Sequence, residues 1–292
     1  MLEGRTVAAP ALAPGLHVVA TPIGNLGDIT LRALRTLAGA DFILCEDTRV
    51  TVKLTRHFGI AAPLRPYHDH NAARVRPAIV EALRKGAAVA LVSDAGTPLV
   101  SDPGFKLVEA AIAEAVPVEA VPGASAALAA LTVSGLPSDR FLFAGFLPSR
   151  AGARREALDA LAAVPASLIF YESPKRLAAS LQAMAEILGD RPAAVARELT
   201  KRHEETRRGR LSALAAEHAA EQPPRGEIVV VVGPPEPAVA PTGDALDALL
   251  IEALASAPVK QAAGDVAAAT GVPRRELYAR ALALKGADGR RR

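Results

Sequence analysis

Short apolar runs, most of them rich in Val, alternate along this chain with long Ala, Leu and Arg segments of helical spacing. That alternation is the pattern of a mostly parallel sheet covered by helices. In the first half the runs are LHVVAT, DFILCED, AAVALVSD and VPVEAVPG; in the second they are RFLFAGF, ASLIFYE, AAVARELT and GEIVVVVG. Helices are predicted between them over residues 29–37, 77–85, 105–115, 154–163, 174–188 and 211–220. A chain of 292 residues exceeds the usual single domain. The two sets of strands therefore read as successive α/β domains, residues 16–121 and 122–235, with a cleft between their sheets. Half of the residues are hydrophobic but only 3% are aromatic, and small aliphatic side chains suit helices packed closely on sheets.

Residues 1–15 read as a disordered leader, since Glu3 and two prolines interrupt what a signal peptide would need as a continuous apolar segment. Residues 120–138 carry no charge, yet Pro122, Gly123, Gly135 and Pro137 speak against a membrane helix. The single cysteine, Cys45, excludes an internal disulfide and a thiolate zinc site, so a cytoplasmic protein is expected. After the Pro-rich stretch GPPEPAVAPTG the composition changes, and residues 243–287 are predicted to be wholly helical. Within them, a turn at Thr270 and Gly271, with Pro273 opening the next helix, has the spacing of a helix-turn-helix. Its second helix carries Arg274, Arg275 and Arg280, which suits phosphate contact; a helical pair that merely packs on the body fits equally well.

In open α/β sheets, ligands bind beyond the carboxyl ends of the strands. The first such loop, PIGNLGDIT, holds Gly24 and Gly27, with Asp28 read as the cap of the next helix. It matches neither the dinucleotide nor the nucleoside-triphosphate glycine signature. The second, EDTR, places Glu46, Asp47, Thr48 and Arg49 together, as a helix cap or a polar-ligand site. PLRPYHDHN supplies Tyr67, His68, Asp69, His70 and Asn71; its H-x-H spacing is too sparse for a metal, and a polar loop on the substrate side is expected. The third loop, SDAGTPLVSDPG, gathers Ser93, Asp94, Gly96, Thr97, Ser101 and Asp102, and the fourth, VPGASA, opens a helix near Ser125. Four successive Gly, Pro and polar loops exceed what turn-making requires.

These segments, with FAGFLP and YESPKR in the same order and spacing, closely resemble the ribosomal RNA small subunit methyltransferase I group of the tetrapyrrole methylase superfamily, over residues 16–234. The helical segment resembles that group's helix-turn-helix appendage. The third loop departs from the superfamily's Gly-Gly-Asp-Pro-like sequence, reading Ala-Gly-Thr-Pro. The resemblance implies two α/β domains holding S-adenosyl-L-methionine in the cleft between them, and a homodimer. It implies 2′-O-methylation of a cytidine ribose in small-subunit (16S) ribosomal RNA, with the free RNA or the assembled small ribosomal subunit as partner. Carried over by position, cofactor contacts come from Pro22, Ile23, Gly24, Asp94, Thr97, Pro98, Val100, Gly123 and Ala124. The second domain closes the pocket near Phe170, Tyr171 and Glu198 and at Glu227 and Ile228.

Methyl transfer from a sulfonium is an in-line displacement, so alignment of the acceptor hydroxyl dominates, and a nearby proton acceptor helps. Candidates are Asp47, His68, Glu172, Lys175, Glu198 and Lys201, with Glu172 placed ahead of Asp47; a lysine would need its pKa lowered. RNA phosphates are expected at Arg150, Arg154 and Arg155 in a flexible Gly/Ala setting, and at Lys201, Arg202, Arg207, Arg208 and Arg210. Arg49, His68, Asn71, Arg274 and Arg275 complete the expected RNA surface. Tyr67, Phe146, Phe170 and Tyr171 are the aromatics available for stacking on bases. Two other readings remain: a methylase of the same fold acting on a small tetrapyrrole, and a non-enzymatic RNA-binding protein.

Overall fold

In the computed structural model, residues 9, 11–99, 104–236 and 243–288 are described, with side chains to 285; nine of the fifteen residues of the expected leader, and Val100, Ser101 and Asp102, lie outside them. Five strands, β1 (Gly15–Val19), β2 (Phe42–Cys45), β3 (Leu64–Pro66), β4 (Ala88–Leu91) and β5 (Val118–Val121), form one sheet in the order β3-β2-β4-β1-β5. Every pairing in it is parallel. β2 and β4 are buried on both faces, as continuous apolar runs in a parallel sheet should be. Helices α1 (Leu31–Gly39), α2 (Thr48–Phe58), α3 (Asp69–Arg84) and α4 (Phe105–Ala113) cover the two faces.

The second sheet is mixed. β6 (Phe141–Phe146), β7 (Ser167–Glu172), β8 (Pro192–Arg197), β9 (Glu205–Arg210) and β10 (Ile228–Val232) run in the order β6-β7-β10-β8-β9, and only β6 and β7 are parallel. α6 (Ala151–Asp159), α7 (Leu177–Leu188) and α8 (Leu211–Ala220) pack one face, burying Leu158, Phe170, Leu181, Met184 and Leu214. α5 (Ala126–Ser134), just past the boundary expected after residue 121, packs Ala127, Ala130 and Leu131 on the other face with Ile23, Ile169 and Val229. Both sheets belong to one compact unit ending at Pro235.

Local chemistry sets the helix starts. Thr30, two residues beyond Asp28, caps α1 by accepting the Ala33 N–H at 3.0 Å; Asp28 instead ends a short 3-10 turn that Asn25 caps. Asp47 caps α2 through the Arg49 N–H at 2.8 Å, and Gly59, at φ +66°, closes that helix in the left-handed conformation. α3 begins at Asp69, eight residues before the predicted start, because Asn71 accepts the His68 N–H at 2.9 Å and donates to the Pro66 carbonyl at 3.0 Å. Two strands escape the hydrophobic pattern: β3 has three residues and ends in proline, and β9, sequence ETRRGR, is an edge strand with almost no apolar side chain.

Residues 236–292 form a second compact unit. In it α9 (Asp244–Ser256), α10 (Val259–Thr270) and α11 (Arg274–Asp288) bury Leu250, Ala263, Val266 and Leu277 among themselves, and Gly271 at φ +72° makes the turn after α10. Among the described residues no helix is long and apolar enough to cross a membrane.

One buried group makes stability depend on pH. His218 on α8 is 7% exposed, and neither ring nitrogen has a hydrogen-bond partner among the described residues. Burial, and then the nearby Arg207, hold its pKa below the usual histidine value. The unfolded chain therefore binds the extra proton more readily, so this contribution is complete above about pH 6.5 and is lost as pH falls below it. His218→Leu is expected to fold at pH 8, and its melting temperature should fall less than the native protein's between about pH 7 and 5, read by thermal unfolding.

Candidate active site

The strand order places a switch point at the centre of the first sheet. β1 and β4 are neighbours, but the chain leaves β1 toward β2 and leaves β4 toward β5, so their following loops diverge and open a crevice. The two loops are tied by backbone. Thr21 and Gly96 form an antiparallel bridge, with the Thr21 N–H on the Gly96 carbonyl at 2.8 Å and the return bond at 3.1 Å. Gly96 takes φ +78° there, and a Cβ would sit 3.2 Å from Ile23. Thr97 donates to the Ala124 carbonyl at 3.1 Å, joining the third loop to the fourth.

Above this crevice the second sheet supplies a wall. A cavity of about 410 Å³ is lined by Ile23, Asp94 to Thr97, Ser125 and Ala126 on one side, and on the other by Phe146, Tyr171 to Pro174, Ala196, Leu199 and residues 226–229. Most of these side chains are apolar, with a few convergent polar groups, the usual make-up of a small-molecule site. The Phe146 and Tyr171 rings meet edge to face at 5.5 Å. Beside it a second cavity, about 340 Å³, is lined by Thr21 to Gly24, Val50, Thr51, Lys53, Ser93 to Ala95, Lys201 and Glu227.

The loop between β8 and β9 is held in a constrained form. Glu198 and Thr200 have φ of +51° and +64°, costly for residues with a Cβ. Glu198 accepts from Lys201 Nζ at 2.8 Å and from the Glu227 N–H at 3.0 Å, and Lys201 also reaches Glu227 at 2.8 Å. These donors hold the Glu198 carboxyl below the usual glutamate range. Burial alone would lower the Lys201 pKa, but its two carboxylate partners raise it, so the ammonium stays charged. The Lys201 stem crosses Gly24, where a Cβ would come within 2.3 Å of it.

The residues expected from sequence divide accordingly. Ile23, Asp94 and Thr97 line the larger cavity, Pro22 and Gly24 the second, and Val100 lies outside the described residues. Pro98 is buried; Gly123 packs on Ala20, and Ala124 contributes its carbonyl to Thr97 while its neighbours Ser125 and Ala126 line the cavity. Glu198 is off the lining and acts on it through Lys201 and Glu227. Phe170 is a correction: strand alternation turns it into the core behind the sheet, fully buried, and presents Tyr171 to the cavity. Tyr67 is likewise buried and offers no stacking face.

Glu172 faces the larger cavity but is fully engaged: Oε1 accepts from the Ser173 N–H and pairs with Arg176 at 2.7 Å, and Oε2 accepts from Ser180 at 2.5 Å. Arg176 also donates to Ser173 and to the Leu147 carbonyl. The YESPKR motif thus builds the start of α7. Lys175 is exposed and lines neither cavity. Asp47 pairs with Arg49 at 2.6 Å, and that partner holds its carboxyl down at about 2.

The expected RNA contacts shift too. Arg154 and Arg155 lie on α6, not in a flexible segment, and Arg155 pairs with Glu186. Arg207 is taken by Glu205 and Glu221, Arg208 by the Val133 carbonyl and Arg210 by the Asp190 carbonyl. His68 and Asn71 order the start of α3. In the C-terminal unit Arg280 pairs with Asp247 and Arg274 bonds the Lys260 carbonyl. Arg150, Arg202 and Arg275 are exposed, with no partner among the described residues. No cluster of three metal-ligating side chains occurs among the described residues. Arg176, Ser180 and Gly226 were not singled out from sequence, since their roles depend on contacts to distant strands.

Because Phe170 fills the core, Phe170→Ala should destabilise the fold by about 3–5 kcal/mol in denaturant titration, whereas Tyr171→Ala, half-buried, should cost clearly less.

Residues 15–215 match the family described as Tetrapyrrole (Corrin/Porphyrin) Methylases, and residues 240–285 match the RsmI C-terminal HTH domain. A protein of Mesorhizobium japonicum named Ribosomal RNA small subunit methyltransferase I is 55% identical over 99% of this chain and 98% of its own length. One of the same name from Erythrobacter litoralis is 58% identical over 95% of this chain and 98% of its own. Among solved structures, the uroporphyrin-III C-methyl transferase of Thermus thermophilus, complexed with S-adenyl homocysteine, shares the fold with a TM-score of 0.51, at 22% identity, over 75% of this chain and 97% of that one. The α/β architecture with its helical appendage and these near full-length similarities place the chain in the ribosomal RNA small subunit methyltransferase I family of the tetrapyrrole methylases.

Proposed function

We propose that this protein is an S-adenosyl-L-methionine-dependent methyltransferase that 2′-O-methylates a cytidine ribose in small-subunit ribosomal RNA, in the cytoplasm. The observation that carries the reading is the apolar cavity at the β1–β4 switch point, roofed by the second sheet, in a chain of this family. Its chemistry fits the cofactor. Apolar walls from Ile23, Leu199, Ile228 and Val229 suit the aliphatic chain and the flat base; Ser125, Ser173 and Glu227 supply polar ends; and Gly96 and Gly226 let backbone approach closely.

The cofactor supplies an electrophilic methyl carbon on a sulfonium. The chain's own residues do the rest. Thr21 and Gly96 fix the floor, Tyr171 and Phe146 form one wall, and Thr97 pins the third loop against the fourth, so that little reorganisation accompanies transfer. Glu172, with every oxygen engaged, acts as a positioning residue that holds Arg176 and the start of α7. Lys201, clamped between Glu198 and Glu227, anchors the β8–β9 loop over Gly24. RNA phosphates are met by Arg150 and Arg202 on the body and by Arg275 on the C-terminal helices. A homodimer belongs to the same proposal: Phe105 and Ile112 on α4 are 68% and 62% exposed, more apolar surface than one helix of a lone chain usually leaves in water.

S-adenosylhomocysteine should raise the melting temperature. Methyl-labelled cofactor with small subunits from a strain lacking this protein should place label on one ribose 2′-oxygen, located by nuclease mapping. Label on a base, or cofactor binding without RNA labelling, would overturn the assignment. Removing residues 236–292 should weaken RNA binding far more than cofactor binding; sedimentation should give twice the mass of one chain.

A further inference from the structure

The two cavities meet along a seam formed by Ile23, Asp94, Ala95 and Glu227. They differ in part. The larger is walled mainly by aliphatic and aromatic side chains, whereas the second sets Thr21, Thr51, Ser93, Lys53 and Lys201 among Pro22, Leu26, Val50 and Leu54. A transfer between two substrates needs two adjoining chambers whose contents touch at one point. Resting on the methyl-transfer reading, we propose that the second cavity receives the acceptor ribose, and that Asp94, at the seam, takes the proton of its hydroxyl.

Among the described residues three carboxylates line the two cavities, and two of them are committed. Glu172 has both oxygens in hydrogen bonds to Ser173, Ser180 and Arg176. Glu227 is paired with Lys201. Asp94 differs in being in no ion pair among the described residues: Oδ1 accepts the Asp47 N–H at 3.0 Å, which orients the carboxylate, and Oδ2 has no partner among the described residues, whereas Glu227 Oε2 is held by the Lys201 ammonium. It is half-buried and faces both chambers. Lys201, whose ammonium bonds Glu227 at the seam, is held charged by two carboxylates and cannot accept a proton.

In the step, the ribose oxygen bonds to the methyl carbon as the carbon–sulfur bond breaks, and that bond's electron pair stays on sulfur as a neutral thioether. The hydroxyl proton passes to Asp94 Oδ2 and from there to solvent. Lys53, exposed at the mouth of the second cavity, is placed for the phosphate beside that ribose.

Asp94→Asn tests this, because the amide oxygen keeps the bond from the Asp47 N–H and only the basicity is lost. Native protein and variant are compared for S-adenosylhomocysteine affinity by calorimetry and for single-turnover methylation of small subunits. The variant is expected to bind S-adenosylhomocysteine as the native protein does, with turnover lower by about 10²–10⁴-fold and a residual rate that climbs more steeply with pH as hydroxide replaces the lost base. Lys53→Ala should raise the KM for the subunit and leave kcat intact. Native turnover in Asp94→Asn, or loss of cofactor affinity in proportion to rate, would overturn the assignment while leaving the methyl-transfer reading in place. Native protein that binds S-adenosylhomocysteine but labels no ribose removes both.

Discussion

Two backbone hydrogen bonds between Thr21 and Gly96 hold the site together. Loops at a switch point diverge by construction, since the chains that follow them go to opposite edges of the sheet, and without a tie they would splay. The bridge closes that gap with main chain alone and leaves the side chains around it, Ile23 and Asp94 among them, to face the cavities. Thr97 extends the tie to the loop after β5. Three strand ends thereby form one floor, on which α5 then seats the second sheet through Ala127, Ala130 and Leu131.

Charge is distributed by a similar economy. Most arginines outside the helical appendage that look like a phosphate-binding surface in the sequence are answered by this chain's own groups: Arg49 by Asp47, Arg155 by Glu186, Arg207 by Glu205 and Glu221, Arg208 and Arg210 by backbone carbonyls; Arg197 of β8 pairs with Glu205 as well. These pairs contribute little individually where they are exposed. Those of Arg197 and Arg207 help order β9, which has no apolar face to hold it and relies on its ladder to β8 and on ion pairs across it. Polyanion binding then falls to cations left unanswered, Arg150, Arg202 and Arg275 among them, and its salt dependence is shallower than the arginine count implies.

How far the sequence revealed this depended on how local the cause was. Eight strands were legible because their apolar runs are continuous, and the C-terminal turn because Gly271 and Pro273 mark it. β3 and β9 were not, since pairing with a neighbour defines them and pattern does not. The strand-end loops pointed correctly to the cleft, and the motif resemblance supplied the cofactor. Side-chain roles were harder. Whether Phe170 or Tyr171 faces the ligand turns on a one-residue register, and whether Glu172 is available turns on Ser180, eight positions away and one helix turn inward. A glutamate in a motif at a strand end looks the same in sequence whether it is reactive or already bonded.

Gly226 and Glu198 illustrate what such packing does to variation. A Cβ at Gly226 would fall within 2.3 Å of the Glu198 carboxylate, and Gly226 itself sits at φ +101°. The backbone preference is fixed, but the collision exists only while a long side chain occupies position 198. The two positions are therefore epistatic: a single-site scan would score glycine as essential at 226, and the same scan on a background with a short residue at 198 would relieve the collision and leave only the conformational penalty. The wall of this cleft drifts by paired replacements, in a particular order, or not at all.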